Sequence, residues 1–186
     1  MDAGELLTRA TIWITIVLYV AGVLVLVINK HQPWAHATVR LVWTVACISL
    51  ILHFLFAFEF YHKWSHAAAY RDTARQTYEV VGFASGVGLI VNYGLLAIWV
   101  LDVGWWWLRG RDSYFKRPRL AILAWHWFLI FIIFNATVVF GKGLARWVGL
   151  LLSLILCLAW IIVTKQMFIS KRKTVSQHGF SERRNQ

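Results

Sequence analysis

The chain has 186 residues, of which 60% are hydrophobic and 15% charged, with 12 tryptophans and a formal net charge of +11. A soluble domain is about 45–50% apolar and about 25% charged, so this composition excludes an ordinary soluble domain and points to a chain that crosses a membrane several times. The cations flank apolar runs, which assigns them to membrane orientation and anionic headgroups and argues against nucleic acid as a partner.

The N-terminus, MDAGELLTR, is acidic before it is basic and shows no small-residue cleavage site, so the first span is expected to stay in the mature protein. A bilayer core of about 30 Å needs about 20 apolar residues in helical form. Five segments qualify, at 10–29, 40–61, 80–107, 120–140 and 146–168. Lipid offers backbone groups no partners, so each is expected to be helical. The fold class is therefore an all-α, polytopic integral membrane protein, a five-helix transmembrane bundle. Residues 1–170 form the transmembrane domain. Residues 171–186 form a basic tail expected to be disordered or to lie on headgroups.

Charge sets the direction. With the N-terminus outside and the C-terminus cytoplasmic, 13 of the 19 basic residues fall on the cytoplasmic side and 6 outside, as the positive-inside rule requires. The expected location is a bacterial inner membrane or its equivalent.

In the first span Thr8, Thr11, Thr15, Tyr19 and Gly22 recur every three or four residues and predict a packing face. In the second, Ala46, Ser49, His53 and Ala57 share a face that small residues open to a neighbouring helix. Cys47 and Cys157 lie within apolar runs and read as small buried hydrophobes.

Glu59, His62 and His66 follow at i, i+3 and i+7 in EFYHKWSH. On one continuous helix they share a face, and a carboxylate with two imidazoles is a candidate ligand set for Zn, Fe, Mn or Cu(II). Tyr70, Asn92 and Asn135 are candidates to support it from a polar pocket in the outer half, bounded by the first four helices.

In the third span Gly82 and Gly86 read as a GxxxG pair, Asn92 as a mid-membrane residue needing a partner, and Asp102 as one half of an ion pair with an arginine of the following loop. His53, Asp102 and His126 form a possible proton path. Haem is disfavoured, because His53 and His126 are offset by on the order of 10 Å at about 1.5 Å per residue. The fifth span, mostly Leu, Ile, Val and Trp, reads as peripheral.

Two functions compete at this level. One is a metal-binding or proton-handling site at the outer end of the second span, redox-linked or hydrolytic. The other is a non-catalytic or ion-conducting membrane subunit. The partners implied are the lipid bilayer and either other membrane subunits or further copies of this chain.

Overall fold

The structure is a computed structural model that describes residues 2–29 and 32–184. Lys30, one of the cations assigned to the cytoplasmic side, and the last two residues of the tail lie outside the described residues. All regular structure among the described residues is helical.

Helix α1 (Ala3–Ile28) starts at Asp2, whose carboxylate accepts the Glu5 amide at 2.6 Å, satisfying one orphan N–H of the first turn. Helix α2 (Pro33–Ala57) opens with Pro33, where a missing N–H costs nothing. It ends in a π-helical turn, Phe58–His62. Helix α3 (His66–Val81) is capped by Ser65, which accepts the Ala68 amide at 3.2 Å. Helix α4 (Val87–Phe115) carries one break at Gly110, where φ is 71°, a conformation glycine adopts at little cost. Helix α5 (Arg119–Phe134) continues as a π-turn over Asn135–Val139, and helix α6 covers Leu144–Arg184. It therefore carries helical backbone through 171–184.

Among the described residues five helices are long and apolar enough to cross a membrane: Ala3–Ile28, Trp34–His62, Val87–Arg111, Arg119–Val139 and Leu144–Lys165. The third begins at Val87 and not near residue 80, because residues 78–86 belong elsewhere. Gly82 closes α3 at φ 81°, and residues 82–86 form a turn. The expected Gly82/Gly86 packing pair is thus corrected: Gly82 is a helix cap, and Gly86 lies against the Tyr70 ring.

Polar groups knit α1 to α2. Ser49 Oγ donates to the Thr11 carbonyl at 2.8 Å, His53 Nδ1–H donates to the Thr8 carbonyl at 2.9 Å, and Thr15 Oγ1 lies 3.3 Å from the Ala46 carbonyl. The threonines also bond back to their own helix. Both small-residue stripes read from the sequence therefore face each other. Around this hairpin α4 packs on α2, α6 on α1, and α5 on α6. Trp99 of α4 meets Trp125 of α5 edge-on at 6.3 Å and completes the core.

Contacts also set depth. Asp102 meets Trp43, whereas Tyr93 meets Phe54 and Phe58. Asn92 therefore stands near the α2 terminus and not at mid-span, and it is exposed. The bundle has two unlike ends. One carries the N-terminus, the π-turns and α3. The other carries Arg40, Arg109, Arg111, Lys116, Arg117 and Arg119 and is called the basic end below.

Candidate functional site

At the N-terminal end the Glu59, His62 and His66 set does not assemble. The expectation required one continuous helix. Instead the chain breaks at Lys63 and Trp64, both with positive φ (47° and 58°), and α3 starts afresh at His66. Each side chain turns to a different partner. Glu59 accepts the Trp64 indole N–H at 2.6 Å. His62 Nδ1–H donates to Asp72 at 3.2 Å, and Asp72 also pairs with Arg75 at 3.2 Å. His66 hydrogen-bonds the Tyr93 hydroxyl at 3.0 Å. Among the described residues no three His, Cys, Asp or Glu side chains form a group able to hold a metal. The supporting residues are dispersed as well. Tyr70 covers Gly86, Asn92 is exposed, and Asn135 Nδ2–H bonds the Phe131 carbonyl of its own helix at 2.7 Å. The residues expected to line a polar pocket at this end do not converge, and the cavity described next lies at the other end and has a different lining.

The basic end holds a cavity of about 590 Å³, within the ~300–1,000 Å³ usual for small-molecule sites. Its walls are apolar: Val23, Leu26 and Val27 of α1, Val39 of α2, Ile122 of α5 and Val163 of α6. Trp43, His126 and Trp160 close its deep side. The His126 ring stacks on Trp160 at 4.0 Å and its Nδ1 is hydrogen-bonded to the Tyr19 hydroxyl at 3.1 Å. Trp160 is 6% exposed. The mouth carries His36, Tyr114, Lys116, Arg117 and Arg119.

One carboxylate organises this mouth. Asp102, 6% exposed, accepts the Trp43 indole N–H at 2.8 Å and the Tyr114 hydroxyl at 2.7 Å, and forms an ion pair with Arg117. Gly110 makes this possible. Its left-handed conformation turns the end of α4 back, so that Tyr114 stacks on Trp106 at 4.0 Å and residues 116–118 pass over the cavity. Arg117 is held three ways, by Asp102, by the Tyr114 carbonyl at 2.9 Å and over the Tyr114 ring at 3.7 Å. Burial, with Asp102 beside it, raises the pKa of the Tyr114 hydroxyl, so Tyr114 remains a donor at physiological pH. Arg40 and Arg109 lie over the rings of Trp107 and Trp105. Lys116 and Arg119 are exposed.

Of the expected proton path, the structure gathers two members. Asp102 and His126 both neighbour Trp43, through its N–H and its ring at 5.7 Å. His53 stands ten residues along α2 from Trp43, about 15 Å at the helical rise, on the Thr8 side of the bundle. The ion pair expected for Asp102 forms. The peripheral reading of the last span is corrected by Trp160, which an aromatic-rich apolar helix hides among its lipid-facing neighbours. Tyr19, Trp43, Tyr114, Lys116 and Arg119 were not candidates in the sequence. Only the Tyr19 stripe and the Asp102 position hinted at them.

Fold and site define an all-helical protein with five helices able to cross a membrane and an apolar cavity opening between cations at one end. No protein-family description matches the chain, and no curated protein or solved structure is significantly similar to it.

Two outcomes follow. Metal analysis of the purified protein beside His62→Ala and His66→Ala is expected to return equal content in all three. A stoichiometric metal lost in both variants would restore the ligand set. A double-mutant cycle with Asp102→Asn and Arg117→Gln is expected to show a coupling of about 0.5–3 kcal/mol in unfolding, the range for residues in contact or in one ion-pair network. Additive effects would mean the pair does not hold the mouth.

Proposed function

We propose that this is a membrane-embedded binding protein for an anionic amphiphile, with the headgroup among Lys116, Arg117 and Arg119 and the chain between α1, α2, α5 and α6. One observation carries this reading: apolar walls and a cationic mouth belong to the same cavity. An amphiphile has that polarity along its length. The positive-inside rule accounts for many cations at one end, but not for three of them ringing one opening. With the basic end cytoplasmic, the ligand would come from the inner leaflet. A membrane-delivered ligand also suits a chain whose exposed surface is rich in leucine, with Leu101 71% and Leu108 86% exposed.

Tryptophan fluorescence provides the test, because Trp43, Trp106 and Trp160 line the cavity. Anionic lipids with brominated chains are expected to quench more strongly than zwitterionic ones. Lys116→Ala and Arg119→Ala are each expected to weaken the anionic preference about tenfold, or ~1.4 kcal/mol. Equal quenching by both lipid classes would remove the proposal.

A second reading, proton handling, rests on the convergence of Asp102 and His126 at Trp43 and on His126 facing the cavity. His126 and Tyr19 could hold and pass a proton at the cavity floor. Proteoliposomes with an internal pH dye would then show a proton flux that His126→Leu abolishes. No flux from the wild type would retire this reading.

A further inference from the structure

We infer that the headgroup recognised at the basic mouth is a phosphate monoester in its dianionic form, in preference to a singly charged phosphodiester. The inference rests on the proposed amphiphile site and comes from the charges at its opening.

Three cations reach the mouth, but they are not equivalent. Arg117 is already matched by Asp102 in an ion pair whose side chains are 22% and 4% exposed. Its Nε–H is used on the Tyr114 carbonyl and one terminal nitrogen on Asp102. A buried carboxylate stripped of its partner is strongly destabilising, so Arg117 stays where it is. It offers its remaining N–H groups as fixed donors while contributing no net charge to the opening. The neighbouring Arg40 and Arg109 are turned onto tryptophan rings. That leaves Lys116 and Arg119 among the cations lining the cavity, both exposed. Two exposed cations beside a rigid guanidinium complement about two negative charges on a group with several acceptor oxygens. A phosphate monoester supplies that, with a charge of about −1.5 to −2 at pH 7 and a second pKa near 6. A phosphodiester supplies one charge and leaves one cation unmatched.

Four probes in detergent separate the possibilities: dodecyl phosphate, dodecyl methyl phosphate, dodecanol and inorganic phosphate, each titrated against the tryptophan fluorescence of the whole protein. At pH 7.5 dodecyl phosphate is expected to bind at least tenfold more tightly than dodecyl methyl phosphate. The ratio is expected to fall toward one at pH 5, as the monoester takes up its second proton. The other charged or titratable groups facing the opening are His36 from α2, Asp102 and Tyr114 from α4, Lys116 and Arg117 from the linker, and Arg119 and His126 from α5. Any positive charge these groups gain on acidification favours the doubly charged ester, so a ratio that falls toward one reports the ligand's own proton uptake. Lys116→Ala and Arg119→Ala, both at exposed positions, are expected to lower that ratio at pH 7.5 severalfold each. Equal binding of the two esters at pH 7.5, or a ratio that does not change with pH, overturns the monoester assignment while the amphiphile site stands. Dodecanol binding as tightly as both esters, or inorganic phosphate binding as tightly as dodecyl phosphate, overturns the amphiphile site itself.

Discussion

A carboxylate placed inside a membrane span must be given charge and donors by the protein, because lipid supplies neither. Asp102 meets that requirement with groups from three places: an indole from α2, a phenol from the turned-back end of α4 and a guanidinium from the linker to α5. Much at the basic end depends on this convergence. It ties α4 to α2, brings the linker across the bundle, and holds Arg117 and Tyr114 at the cavity mouth. Gly110 is the backbone counterpart, since without a left-handed residue there the helix would run straight on and carry Tyr114 away from Asp102.

The two ends of the bundle deploy their polar residues differently. At the N-terminal end Glu59, His62 and His66 are each matched locally, to Trp64, Asp72 and Tyr93. These pairs tie the π-turn, α3 and the start of α4 together and converge on no common centre. At the basic end the polar groups surround a space. Aromatic rings of Tyr19, Trp43, Trp99, Trp125, His126 and Trp160 fill the bundle just below that space and separate it from the hydroxyl-rich α1–α2 seam. That separation is why His53, bonded to Thr8, has no part in the network around Asp102.

Legibility in the sequence followed the range of the interaction. The α1–α2 seam was readable because each stripe repeats with the helical period and two small-residue faces pack together. The Asp102 ion pair was readable because a buried carboxylate needs a cation and the next loop is rich in arginine. The Glu59–His62–His66 stripe shares one face only on an unbroken helix, and the backbone breaks between His62 and His66. A π-turn and two positive-φ residues, Lys63 and Trp64, lack the glycine or proline that usually marks such a break. The apolar run at 80–86 predicts a helix that would set Asn92 at mid-span, but it ends α3 and turns into α4, which leaves Asn92 near the α2 terminus. Trp160 was passed over because nothing along one apolar helix distinguishes a tryptophan that faces a histidine from one that faces lipid.

The sequence by itself determined the class of the protein, its five apolar helices and the gathering of cations toward one end. Those properties follow from hydropathy, length and charge, which are sums along the chain. Only the tertiary structure decided where a site could be. A cavity exists where helices distant in sequence fail to fill the space between them, and its chemistry depends on which side chains face that space. The metal-like stripe that stood out in one dimension was dispersed by a local break in the backbone. Residues with no common motif, from Val23 to Val163, were brought around one opening by packing that no single segment encodes.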